Sequence, residues 1–250
     1  MKLIKTDSFE IATIASGDEN SSRFALALPG LLDTKDYAHL KSHIDFLASK
    51  GFYALSFDPP GTWESPGDIS LYTATNYLKA IHELIKYFGN RPTFVMGHSR
   101  GATMSIAAGV TSPNVFAFAA VMPSHIRGDY LGLKDEQWHG KGYRQEMRDL
   151  PPGNSEQSKE FKLPYSFFED QIRYNFTVQL SKYTKPKLFI YGKHDEAATP
   201  ERVHKIFEIA SLPKELVGIE SDHNYRYHPK LIDQVNDLVG NLLDSIDTVT

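Results

Sequence analysis

The chain has 250 residues, 41% of them hydrophobic, with 27 basic against 31 acidic side chains and a formal charge of −4. That is enough apolar material for one large core, and without a long basic run it lacks the electrostatic footprint of a nucleic-acid binder. There is no cysteine, which excludes disulfides and thiolate chemistry and suits a reducing compartment. The opening MKLIKTDSFEIATIASGDEN contains no apolar run of signal-peptide length, and no segment reaches membrane-spanning length. A cytoplasmic location with no membrane span is therefore expected.

Taken in order, Ser8 to Ser16 and Arg23 to Leu28 read as strands. The second is nearly all apolar, as a strand buried on both faces should be, and it stops at Pro29-Gly30. From Asp36 to Lys50 apolar residues recur at helical spacing, with Gly51 as terminator. Phe52 to Phe57 is another short strand. Asp58 to Asp68, DPPGTWESPGD, is too rich in proline and glycine for regular structure and predicts an exposed loop. A helix follows from about Tyr72 to Phe88. Phe94 to Gly109, FVMGHSRGATMSIAAG, then reads as strand, tight turn and helix, and Val115 to Met122 as a central strand.

Strand followed by helix, several times over, predicts an α/β fold with a mostly parallel central sheet flanked by helices. The rhythm breaks after Pro123. From about Ser124 to Thr184 the chain is polar and aromatic by turns, with Gly128, Gly132, Gly140 and Gly142 and a loop-like PPGNSEQ from Pro151 to Gln157. This predicts an insertion within one domain spanning residues 1–250, with a helix over Leu163 to Leu180. The α/β rhythm returns with a strand at Pro186 to Gly192, a helix opening at Pro200, a strand near Leu216 to Ile219 and a last helix from Pro229 to about Leu243. Both prolines suit a first helical position.

Ser99 stands in Gly97-His98-Ser99-Arg100-Gly101, where glycines two residues either side permit the sharp turn that lifts a hydroxyl above a sheet edge. A serine needs a base to take its proton, and the base needs an acid to fix its tautomer. Asp195 follows the strand ending at Gly192, and His223 follows the strand ending at Ile219. The order Ser99, Asp195, His223 is the one this architecture uses. Each has a bland rival: His194, His204 and His228 lie nearby as solvated or helical histidines, and Glu196 and Asp222 as charged loop residues. His98, adjacent in the turn, points away from the hydroxyl and reads as packing. The oxyanion donors are expected to be the backbone N–H of Arg100, at a helix start, and that of Leu31, where Gly30 permits close backbone approach. Gly30 as a mere turn residue is the plainer alternative. His82-Glu83 lacks the second histidine of a zinc helix, no GxGxxG follows a strand, and no glycine loop ends in Lys-Ser or Lys-Thr. No metal and no organic cofactor is expected.

Together LPGLLD (Leu28 to Asp33), GHSRG (Gly97 to Gly101), YGKHDEAATP (Tyr191 to Pro200) and SDHNY (Ser221 to Tyr225) resemble the α/β-hydrolase superfamily. The resemblance covers nearly the whole chain apart from the insertion. Within the superfamily it is similar to the small serine carboxylesterases, including cinnamoyl-esterase-like and serine-aminopeptidase-like members with a lid at the position of Ser124 to Thr184. It implies hydrolysis of small acyl or aryl esters through an acyl-serine intermediate, beneath a cap of Tyr and Phe side chains. One departure stands out. Many relatives carry Arg-Gly-x-Gly-x-Ser where this chain has Pro60-Gly61-Thr62-Trp63-Glu64-Ser65, so Trp63 either lines the pocket or packs beneath the lid. Peptidase, thioesterase and acyltransferase chemistry on the same triad stay open, as does a silent fold used as a small-molecule receptor. The apolar cap could equally serve as a homodimer surface.

Overall fold

Along Phe24–Leu28 every residue is buried, yet Phe24, Leu26 and Leu28 join one apolar cluster while Ala25 and Ala27 join another. Successive side chains of a strand point to opposite faces, so this strand must be covered on both. The computed structural model, which describes residues 1–127, 136–152 and 157–248, puts it inside an eight-stranded sheet. The strands are β1 (Lys2–Lys5), β2 (Glu10–Ser16), β3 (Phe24–Leu28), β4 (Tyr53–Phe57), β5 (Thr93–His98), β6 (Val115–Val121), β9 (Lys187–Gly192) and β10 (Lys214–Ile219). Their spatial order is β1-β2-β4-β3-β5-β6-β9-β10. β2 runs antiparallel to both its neighbours, and every other pairing is parallel.

Helices α1 (Ala38–Ser49) and α8 (Pro229–Asp247) cover the Ala25 face through Leu40, Ile44, Leu47, Val235 and Val239. Helices α2 (Ala74–Tyr87) and α3 (Arg100–Thr111) cover the other through Tyr77, Ile81, Leu84 and Met104. α7 (Pro200–Ile209) adds Val203 and Ile206 to a third cluster around Phe118 and Phe189. Pro200 and Pro229 open α7 and α8 as predicted. No helix among the described residues is long and apolar enough to cross a membrane.

β3 leads into β4 on one side, and the chain then returns to lay β5 on the other. The loops after β3 and β5 therefore part at their carboxyl ends, at a topological switch point, which is where open parallel sheets bind ligands. Leu28 pairs with Gly97 across that boundary, so the loop opening at Pro29 and the turn at Ser99 begin side by side.

Four expectations need correction. β1 was unforeseen, because of its four residues only Ile4 is buried, too little for a period-two pattern. The Asp58–Asp68 loop is not exposed in its first half: Asp58, Thr62 and Ser65 are buried. Ser65 Oγ donates to the Asp58 carbonyl at 2.6 Å and accepts the Ala12 N–H at 2.9 Å, which ties the loop to β2. In the insertion, helix α4 (Glu136–Lys141) precedes an unforeseen antiparallel hairpin, β7 (Tyr143–Asp149) with β8 (Ser158–Pro164); β7, YRQEMRD, has too few apolar residues to announce itself. The single helix over Leu163 to Leu180 is instead two, α5 (Tyr165–Gln171) and α6 (Thr177–Lys182). A bridge between Arg127 and Asn175, with the Phe176 N–H donating to the Ile126 carbonyl at 2.9 Å, draws the intervening chain out of helical geometry. Gly128, Gly132 and most of the Pro151–Gln157 loop lie outside the described residues.

Candidate active site

The turn between β5 and α3 places Ser99 at φ 54° and ψ −114°, a left-handed conformation that a non-glycine residue adopts only when its surroundings impose it. The flanking glycines permit it by letting the backbone on either side close in. A Cβ on Gly97 would lie 2.5 Å from the Gly101 carbonyl, and one on Gly101 would lie 2.2 Å from the Leu28 carbonyl oxygen. Gly101→Ala should therefore cost about 3 kcal/mol, toward the upper end for overpacking a rigid site. A lowered denaturation midpoint would register it; an unchanged midpoint would mean the elbow can relax.

Ser99 Oγ lies 2.9 Å from His223 Nε2, and His223 Nδ1 lies 2.7 Å from Asp195 Oδ2. Asp195 has a fully buried side chain, whereas His223 is 22% exposed, so the imidazole is open to a substrate and its acid is not. Burial alone would raise the Asp195 carboxyl. The bond from His223 and the Ala198 and Ala197 N–H groups, each 2.8 Å from Oδ1, outweigh it and hold the group below its ordinary value. An ionised Asp195 accepts from Nδ1–H, which leaves Nε2 free to accept the serine proton.

The two loops are joined by main chain. The Lys193 N–H donates to the Ile219 carbonyl at 2.9 Å and the His194 N–H to the Ser221 carbonyl at 3.0 Å. The three loops do not all come from adjacent strands: β6 stands between β5 and β9. The rival histidines lie elsewhere. His194 pairs with Glu220 at 3.0 Å, His204 packs on the Tyr191 ring at 5.0 Å, and His228 precedes α8. Asp222 caps its own turn by accepting the Asn224 N–H at 2.8 Å.

Arg100 is the first residue of α3, so its N–H has no carbonyl one turn back within the helix. Leu31 sits in the loop after β3, which is anchored from several sides. The Leu32 N–H donates to Tyr72 Oη at 3.0 Å, Trp63 Nε1 donates to the Leu32 carbonyl at 2.8 Å, and Arg148 Nε donates to the Leu31 carbonyl at 2.7 Å. Trp63, at φ 46°, also meets Phe161 of β8 at 5.3 Å between ring centroids. It packs beneath the hairpin and staples the loop. A Cβ on Gly30 would lie 2.6 Å from Asp33 Oδ2, so a side chain there would require the Asp33 carboxylate to shift.

The sequence offered no signal for the ion pair under this loop. Lys35 Nζ, fully buried, lies 3.2 Å from the equally buried Asp58 Oδ2, and it also meets Glu64 and Asp36. Thr34 Oγ1 and the Lys35 N–H both donate to Asp58 Oδ1 at 2.9 Å. Lys35→Met would strand the Asp58 charge and should destabilise the fold by about 3–5 kcal/mol. A loss below about 1 kcal/mol in a chemical melt would show the pair to be dispensable.

Asp33, His39 and His98, all buried, bring a carboxylate oxygen and two ring nitrogens within 4.8 Å of one another, so they are the described residues best placed to hold a cation. Burial first holds both imidazoles well below their ordinary range. Arg226 and Arg148 already oppose the burial that pushes the Asp33 carboxyl up. The His98 ring packs against those of His223 and Tyr225, with centroids at 4.8 and 5.1 Å.

The chain matches no protein-family model and no curated protein. Solved structures are similar to it throughout. Est1E from Butyrivibrio proteoclasticus, solved with ferulic acid bound, is 19% identical with a TM-score of 0.78, and 98% of each chain is covered. Alpha/beta hydrolase domain-containing protein 10 from mouse is 17% identical, also with a TM-score of 0.78 and 98% of each chain covered. The Pyrococcus furiosus esterase Pf2001 is 18% identical with a TM-score of 0.70, covering 98% of this chain and 91% of its own.

Proposed function

We propose that this chain, which has the α/β-hydrolase fold, is a serine hydrolase that cleaves carboxylic ester bonds of small acyl or aryl esters. Ser99 Oγ attacks the ester carbonyl carbon as His223 takes its proton. The carbonyl oxygen becomes an oxyanion, held by the N–H groups of Arg100 and Leu31, where the helix start favours negative charge. His223 returns the proton to the departing alcohol, leaving an acyl-serine, and then activates the water that releases the acid. Asp195 keeps His223 in the required tautomer and stabilises its cationic form. Residues 124–184 act as a cap over the acyl pocket.

The observation that carries this reading is the unbroken line Asp195–His223–Ser99, at 2.7 and 2.9 Å. A hydroxyl, a base and a buried acid in that arrangement serve nucleophilic catalysis and have no need of one another for packing. The test is covalent labelling by a fluorophosphonate. Wild type should take up one label on Ser99, and Ser99→Ala none. Absence of label on both proteins would favour a ligand-binding protein on this fold.

A further inference from the structure

The Arg100 guanidinium is only partly satisfied by its hydrogen bonds. The residue is 4% exposed. Its Nη1 donates to Gln171 Oε1 at 2.5 Å, while Nε and Nη2 are buried without a hydrogen-bond partner. Its guanidinium carbon lies 4.3 Å from the centroid of the Phe167 ring and 5.2 Å from that of Tyr72. The Gln171 amide nitrogen lies 3.0 Å from His125 Nε2, and His125, pushed down to about 3 by burial and then by Arg100 and Arg202, turns Nδ1 to Ser124 Oγ at 2.8 Å. The carboxylate next to Gln171 in sequence, that of Asp170, is occupied by Thr75, whose N–H and Oγ1 lie 2.9 and 2.5 Å away. Among the described residues no carboxylate pairs with Arg100.

A buried cation normally has an anion beside it, because desolvating a charge costs far more than desolvating a neutral group. This one borders the candidate active site. It follows the nucleophile in sequence and touches Tyr72, which accepts the Leu32 N–H of the oxyanion loop, and Phe167 and Gln171 of α5 in the insertion. Its free Nε and Nη2 form the edge of a planar fork suited to donating two parallel bonds to one carboxylate.

We propose that Arg100 binds a carboxylate on the acyl chain of the substrate, so that the preferred esters are half-esters of dicarboxylic acids. The inference rests on the hydrolase reading. Ser99 attacks the ester carbonyl, the alcohol leaves with the proton from His223, and the second carboxylate remains ionised against Arg100 throughout. The Arg100 side chain sets specificity, while its main-chain N–H serves the oxyanion.

The test compares monoethyl succinate, glutarate and adipate with ethyl butanoate, pentanoate and hexanoate, in which a methyl group replaces each free carboxylate. For at least one pair the wild-type kcat/KM should favour the half-ester by about 10²-fold, the scale of charge-assisted bonds in a dry site. Arg100→Gln should bring that ratio to about one, and Arg100→Lys, which keeps the charge but loses the fork, should fall between. Calorimetry on the non-reactive Ser99→Ala protein is independent of turnover. It should show half-ester binding that weakens about 30-fold or more when Arg100→Gln is added to a variant still folded by circular dichroism. Methyl twins hydrolysed as well as half-esters, or half-ester affinity indifferent to Arg100→Gln, would overturn the proposal. Arg100-dependent binding with no turnover of any ester would leave the anion site standing and remove the hydrolase reading.

Discussion

Replacing His223 by alanine is expected to lower turnover of an activated ester by about 10⁶-fold, the scale seen when the base of such a triad is removed. The physical reason lies in one contact. Ser99 Oγ lies 2.9 Å from Nε2 of His223, its proposed base, and without that base the hydroxyl must surrender its proton to water while it attacks. Some catalysis of about 10³–10⁴-fold over water should persist, because the oxyanion donors and binding contacts remain. For the same reason Ser99→Ala combined with His223→Ala should be little worse than either alone. Single-turnover kinetics on a folded variant provide the measurement. A fall of tenfold or less would show that another group takes the proton, and His98, whose ring centroid is 4.8 Å from that of His223, would be the first to examine.

Asp195→Asn should reduce turnover by about 10⁴-fold while leaving the backbone unchanged. The amide can turn an N–H donor toward His223 Nδ1, which then has to accept. The ring proton moves to Nε2, the atom that must receive the proton of Ser99. Wild-type activity in this variant would transfer the role to Glu196. Stability should change as well. Because Asp195 is held below its ordinary value, it contributes stability that is complete above about pH 4 and lost as pH falls through its folded value. Urea midpoints of the asparagine variant should show a correspondingly weaker fall in acid.

The parts of this molecule that were legible in its sequence are those where a local rule and the fold agree. β3 and β5 are apolar on both faces because both faces are covered, and Gly97 and Gly101 mark the elbow because two backbones approach there. Asp195 and His223 could be chosen because each follows a strand, although their meeting is a property of the assembled sheet. The insertion resisted for the opposite reason. Among the described residues β7 pairs only with β8, and it alternates exposed and half-buried residues, so it lacks the apolar period that betrays a strand. The break between α5 and α6 depends on Arg127, some fifty residues earlier, and the burial of Asp58 depends on Lys35. Neither distance is visible to a local pattern.

The hairpin is tied to the body at three points. Arg148 Nε holds the Leu31 carbonyl, the Asp149 carbonyl accepts the Tyr37 hydroxyl at 2.7 Å, and Asp149 also pairs with Arg226 at 2.9 Å, three residues beyond His223. A single antiparallel ribbon thus grips the segments bearing both Leu31 and His223, the proposed anion donor and base. Transplanting a foreign ribbon onto this body would therefore alter rate as well as selectivity, and a chimera would regain full speed only if Tyr37 and Arg226 were exchanged along with it and the new ribbon still offered a donor to the Leu31 main-chain carbonyl.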